Sequence, residues 1–306
     1  MTWNDEYRQI TRVHLGLAIS AMIFQLLFLI QVILNRSLRE LSMFWVYNYL
    51  LTDFLILIQT FMEYILRTTL PYCISHTLFY ILCNLEAYIT SYMTVLEAYI
   101  LVCLNFTRYY MIVKNCNISR EHPRLLIGVT ICLYTFSIAI FVFQVEIFQI
   151  VTLHSHQQSQ NCHFQYHDIK TQIGNLILVL LIPTILNLYF MTLTAIHVRQ
   201  SRRTVRMQAN KHVHLLVQSF IVYILWLGLW SPNVIVTYVF WNRYLGAITR
   251  FGNLTNTLCD PVIFMFIDRR FLKVWKQTLY KIVRSSRRIQ PTTTSNEPNV
   301  STVVVK

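Results

Sequence analysis

FYILCNLEAYITSYMTVLEAYILVCLNFTRYYMIV, residues 79–113, carries only three charged side chains, Glu86, Glu97 and Arg108. A helix that crosses a bilayer needs about 20 mostly apolar residues, and this run exceeds that. Its excess length predicts a tilted helix rather than two segments. Arg108 lies eleven residues after Glu97, and Glu97 lies seven after Thr90, so the three share one helical stripe. A membrane-embedded charge is costly unless it faces protein or water. The stripe is therefore expected to face other helices, although Arg108 could also snorkel to the headgroups.

Working outward, comparable apolar runs occur at about 13–34, 43–66, 125–147, 171–198, 212–240 and 244–267. The last is the most polar, with Arg250, Asn253, Asn256 and Asp260, and spans only if those groups face other helices. The whole chain is 55% hydrophobic and 13% charged, against about a quarter charged in soluble domains. The sequence thus predicts an all-α membrane protein, a seven-transmembrane helix bundle. The net charge of +13 comes in short clusters between apolar runs, without a basic face interleaved with aromatics, which argues against nucleic acid as a partner. The seven cysteines include no CxxC pair, so neither a zinc site nor a redox motif is expected. The run after Arg12 continues to Leu34, too long for a signal-peptide core, and is expected to remain as the first span.

Lysine and arginine set the orientation. Nineteen fall on one side of the expected spans, in clusters such as Arg199 to Lys211 and from Arg269 onward; five fall on the other. By the positive-inside rule the N-terminus is extracellular and the C-terminus cytoplasmic, in the plasma membrane. The sequons at Asn35, Asn105, Asn117, Asn253 and Asn299 then lie in helices or on the cytoplasmic side, where no glycan is expected. Beyond the seventh span, Phe271, Val274, Trp275, Leu279 and Ile282 recur at helical spacing, with Lys273, Lys276, Lys281 and Arg284 on other faces. That pattern predicts a C-terminal amphipathic membrane-surface helix on anionic lipid. The expected organisation is a short extracellular N-terminus at 1–12, the bundle at 13–267, the amphipathic helix at 268–284 and a disordered Thr/Ser/Pro-rich tail at 285–306.

The placement of a few residues is more specific than the count of spans. Cys83 precedes Thr107-Arg108-Tyr109 by one helix length, Trp230-Ser231-Pro232 lies in span six, and Asp260-Pro261-Val262-Ile263-Phe264 in span seven with Phe271 beyond it. Asn48 and Asp53 lie in span two, Pro183 in span five. Across about residues 10–283 this pattern resembles the rhodopsin-like (class A) family of G-protein-coupled receptors.

The resemblance implies a receptor, not an enzyme, that binds an extracellular peptide or small molecule within the bundle and activates a heterotrimeric G protein. Kinases and arrestin would be further partners at the tail, and membrane lipids would surround the helices. It implies a disulfide between Cys83 and Cys162 at the oxidising face, with unpaired thiols or Cys73 as the partner left as alternatives. It implies G-protein contact through Thr107, Arg108 and Tyr109, and a switch formed by Trp226, Trp230, Pro232, Asp260, Pro261 and Phe264. A pocket would draw on Glu63, Glu86, Thr90, Asn233 and Arg250. Thr90 stands where amine receptors carry aspartate, and span seven lacks the lysine a retinal Schiff base needs.

The departures are informative. Thr107 replaces the acid usual before the arginine, and His212 offers no acid near the start of helix six. Asp260 and Phe264 stand where Asn and Tyr are commoner; Met191, Gln25 and Tyr134 also depart from the pattern. Thr107 and Phe264 leave open a seven-helix receptor that couples weakly or not at all. A transporter or channel lined by Asp53, Glu97 and Asp260 is a third reading, without the repeated or broken helices that would support it. No cofactor is expected beyond an ion. The resemblance gathers Asp53, Glu97 and Asp260 around one interior site, where either a cation such as sodium binds among the oxygens or a carboxyl keeps its proton. Glu97 turned toward another helix is the alternative.

Overall fold

The computed structural model describes residues 5–35, 38, 43–69, 76–114, 121–142, 151–156, 161–166, 168–201, 206–236, 243–267, 271–278 and 280. Seven long helices appear among them: α1 Asp5–Leu34, α2 Phe44–Thr69, α3 His76–Val113 and α4 Pro123–Val142 in the first half. The second half holds α5, composed of Ile169–Leu176, a π-helical stretch Ile177–Leu181 and Ile182–Ser201, then α6 Arg206–Ile235 and α7 Arg243–Ile267. A short helix, α8, covers 271–278.

By length and composition five of these can cross a membrane: α1, α3, α4, α5 and α6. The other two are the more polar, and they bury their mid-helix acids and amides. Asp53 and Thr52 in α2, and Asn256, Thr257 and Asp260 in α7, are withdrawn from the bundle surface. The opposite pattern holds in α4, where Leu125, Ile127, Val129, Ile131, Phe136 and Ile138 point outward. A bundle in lipid gains nothing by hiding leucine, so its interior collects polar and small groups instead.

The helices close into a ring. α1 packs on α2 and α7, α7 on α6, α6 on α5, and α5 on α3, which also packs on α2 and α4. Pro123 opens α4 at its first turn, where no N–H is needed. Asn35 closes α1: its backbone N–H and side-chain amide both donate to the Gln31 carbonyl, at 3.1 and 2.9 Å. The interior is threaded by Trp45, Tyr49, Leu96, Ile100, Tyr223, Trp226 and Phe264.

Several features depart from the sequence reading. α1 starts at Asp5, so residues 5–12 of the N-terminal segment continue the first span as a regular helix. Between α4 and α5 an antiparallel hairpin forms from β1 Val151–His156 and β2 Asn161–Tyr166, with Ser155 opposite Cys162. The hairpin packs against α3, at the end of the bundle away from Arg108. α8 does not offer all of its apolar stripe to lipid: Phe271, 1% exposed, stacks on Phe28 of α1 at 4.6 Å, and Val274 is buried too. Lys273 and Lys276 stay exposed. The expected tail at 285–306 lies outside the described residues.

Candidate functional site

Glu97 and Arg108 lie on the inner stripe of α3, 0% and 7% exposed, as their spacing requires. Arg108 reaches α6, where its guanidinium donates to the Ser219 hydroxyl and, at 3.3 Å, to the Gln218 side-chain carbonyl. The sequence reading missed both partners; two adjacent polar residues inside the apolar run 212–240 were the available signal. Thr107, where an acid would restrain the arginine, turns back on its own helix and donates to the carbonyls of Cys103 and Leu104, each at 2.9 Å. Tyr109 packs against Phe190 of α5 at 5.8 Å.

Above this level α6 carries a ladder of stacked rings, Tyr223 on Trp226 at 6.2 Å and Trp226 on Trp230 at 6.1 Å. Their spacing of three or four residues puts all three on one face. Pro232, two residues further on, interrupts the helix hydrogen bonds, and Ser231 donates its hydroxyl to the Leu227 carbonyl beside the break. α7 approaches α6 here at Gly252, where a Cβ would collide with the Leu229 carbonyl. Asn233 accepts from the Thr249 hydroxyl at 3.2 Å, so this expected pocket residue ties α6 to α7. Arg250 is exposed. The side chains of Glu63, Glu86, Thr90, Cys83 and Cys162 lie outside the described residues.

At mid-bundle Asp260 accepts from the Tyr49 hydroxyl at 2.9 Å and the Asn256 amide at 2.7 Å, and Asn256 also donates to Tyr49 at 3.2 Å. Phe264 lies edge-on to Tyr49 at 6.4 Å, and Pro261 is buried beside Asp260. Asp53 accepts from Gln25 of α1 at 3.5 Å and faces Asp260 across the α2–α7 seam. Glu97 faces Tyr49 and Trp226, yet neither of its oxygens has a bonding partner. Asp53, Glu97 and Asp260 thus share one region without forming a cage. Among the described residues no three His, Cys, Asp or Glu side chains are arranged to hold a metal ion.

The seven spans, the buried arginine on α3 and the proline-broken α6 and α7 agree with the comparison to known families. Residues 25–264, most of the chain, match the 7 transmembrane receptor (rhodopsin family). The chain belongs to the rhodopsin-like receptor family. No curated protein matches it. As a family member it is a multi-pass membrane receptor, and the polar contacts above are those of a receptor bundle. The receptor's α4 is tied to α2 through the Tyr134 hydroxyl, which donates to the Asn48 side chain at 3.4 Å.

Proposed function

We propose that this receptor sits in the plasma membrane with its N-terminus outside, binds an extracellular peptide or small molecule within the bundle, and activates a heterotrimeric G protein through Thr107, Arg108 and Tyr109. The observation that carries the reading is Arg108. It is a buried cation at the end of α3 whose guanidinium donates across the α3–α6 seam to the Ser219 hydroxyl and the Gln218 side-chain carbonyl. Charge-assisted bonds are stronger than neutral ones, so these tie α6 to α3 in this packing. Ligand is expected to shift the population toward a packing in which they are released. The hairpin against α3 supports a Cys83–Cys162 bridge that fixes the ligand entrance. Trp226, Trp230 and Pro232, with Asp260, Pro261 and Phe264, would transmit the change.

Nucleotide exchange in membranes holding the receptor, read with several G-protein types and no ligand, tests this. Ser219→Ala is expected to raise basal exchange several-fold and Arg108→Ala to abolish it. Silence from wild type and Ser219→Ala with every G protein would favour the second reading, a receptor that binds ligand but couples weakly. The backward turn of Thr107 onto its own helix supports that alternative.

A further inference from the structure

α3 lies at the centre of the bundle, packed on α2, α4, α5 and α6, yet Phe106 on it is 37% exposed. The reason lies in its neighbours. α4 and α5 both pack on α3 and, among the described residues, barely touch one another. Between them the surface of α3 lies open, as the floor of a groove. Tyr99, Phe106 and Tyr110 of α3 follow one another by seven and four residues and so share that face. Tyr99 closes the upper end, its ring against Phe136 of α4 at 5.8 Å and its hydroxyl on the Leu178 carbonyl of α5 at 3.1 Å. Below it Phe106 meets Phe190 of α5 at 5.3 Å and Tyr110 at 5.0 Å. On α4, Leu125 and Val129 share the face of Phe136, and all three are exposed.

α3 and α4 run antiparallel, so the contact of Tyr99 with Phe136 sets the levels along the groove. About 10 Å from it Phe106 lies level with Val129, and about 16 Å from it Tyr110 lies level with Leu125. The hydrocarbon of one leaflet is about 15 Å deep. The groove therefore runs the depth of one leaflet, the cytoplasmic one in the orientation proposed above. Past its apolar length each of the three helices carries an exposed cation: Lys114 directly after α3, Arg124 in the first turn of α4, Arg199 in the last turn of α5. Among the described residues Glu121, just before α4, is the one acid at this mouth, which leaves it positive. An open apolar cleft forfeits the contacts of its lining, so in a bilayer a lipid fills it. A sterol would leave the cations unanswered, and a zwitterionic phospholipid would set its own cation among them.

We propose that the α3–α4–α5 groove binds one anionic phospholipid of the cytoplasmic leaflet, with an acyl chain over Phe106 and the headgroup among Lys114, Arg124 and Arg199. Each cation near an anionic surface contributes about fivefold in occupancy, and the groove adds chain contacts that a flat helix face lacks. α8 supplies the contrast. There Lys273 and Lys276 are exposed while Phe271 and Val274 turn into the bundle, so charge acts without a groove. The bound lipid lies against Phe190, which also packs on Tyr109 beside Arg108. This deepens the receptor reading by naming a lipid partner, and rests on it for the orientation alone.

Native mass spectrometry of the full chain, in micelles doped with phosphatidylserine, phosphatidylcholine or cholesterol, reads the bound lipid. One phosphatidylserine is expected to survive collision energies that strip the other two. Replacing Lys114, Arg124 and Arg199 together by Gln should lower its occupancy by more than about tenfold. Val129→Trp, which fills the groove from α4 and removes no charge, should do the same. Lys273→Gln with Lys276→Gln, at α8, should leave occupancy within about twofold. Retention of no lipid, or of cholesterol or phosphatidylcholine in preference, overturns the proposal. So does a loss from the α8 pair equal to that from the groove cations, or full binding in Val129→Trp. If Val129→Trp does not fold, Leu125→Trp serves in its place, and full binding there has the same consequence. A micelle has no sides and the measurement holds no G protein, so failed nucleotide exchange would refute the receptor reading and leave this one standing.

Discussion

Along the α2–α7 seam, Asp260 is bonded by Tyr49 and Asn256, and its neighbour Asp53 by Gln25. Along the α3–α6 seam Arg108 is bonded at one level, while Glu97 and Trp226 stand unbonded at the next. At the first seam the bonds interlock, since Tyr49, Asn256 and Asp260 are each bonded to the other two. One oxygen each of Gln25, Asp53, Asn256 and Asp260 still lacks a partner there. In lipid, where apolar contact between helices contributes little, interlocked polar bonds are what set one seam apart from another.

The largest effect is expected from removing the acceptor that Tyr49 and Asn256 share. Asp260→Ala leaves the Tyr49 hydroxyl without its acceptor and Asn256 with only Tyr49, inside a region closed to solvent. Thermal unfolding in detergent is expected to show a loss of about 3 kcal/mol. Asp260→Asn, which keeps an oxygen able to accept both bonds, should recover most of it. Equal losses in the two variants would mean that these bonds do not hold the seam.

Next in size is the backbone approach that joins the two seams. Gly252→Ala places a methyl on the Leu229 carbonyl, and α6 must shift to admit it. A loss of about 1–3 kcal/mol is expected, partly offset by the gain of about 1 from removing a helical glycine. Gly228 of α6 has open space around it, so Gly228→Ala should stabilise by up to about 1 kcal/mol. Opposite signs for the two alanines are the measurable outcome, and matching signs would remove Gly252 as the anchor of α6.

Much of this was legible in the sequence. Apolar runs gave seven helices, because lipid imposes length and composition on every span. The inward stripe of α3 followed from the spacing of Glu97 and Arg108. Burial of Asp53 and Asp260 followed from their cost in lipid. Partnerships were not legible, since they depend on which faces meet. Nothing local says that Arg108 chooses Ser219 and Gln218, or that Asp260 bonds Tyr49 two hundred residues away. For the same reason the sequence could not decide between a cation and a retained proton among Asp53, Glu97 and Asp260: acids that share a region do not define the directions of their oxygens. The hairpin was missed because VTLHSH and NCHFQY alternate too weakly to stand out between two spans. The π-helical stretch of α5 left no mark except Pro183, two residues beyond it.

The smallest effect is expected on the other side of α3, where it meets α5. If α6 changes partners against α3, then α3 must be held by something else, and α5 is its largest remaining neighbour on that side. Among the described residues, the polar contacts that join them include two between side chains and the facing helix. The Tyr99 hydroxyl donates at 3.1 Å to the carbonyl of Leu178, within the π-helical stretch where the regular ladder is disturbed. The Asn105 amide donates at 2.6 Å to the Asn187 side-chain carbonyl, and Asn187 in turn donates to the Pro183 carbonyl at 2.9 Å. Side-chain bonds between membrane helices average only about 0.6 kcal/mol in double-mutant cycles, because the separated helices find other partners. The cycle through Asn105→Ala and Asn187→Ala should give a coupling of that size in thermal unfolding. It should leave basal nucleotide exchange within about twofold of wild type, since such a coupling is less than one factor of ten in any equilibrium. A zero coupling would show that Asn105 and Asn187 act separately. A large rise in exchange would show that α5 moves with α6, and the seam that changes would then be α3–α5 as well.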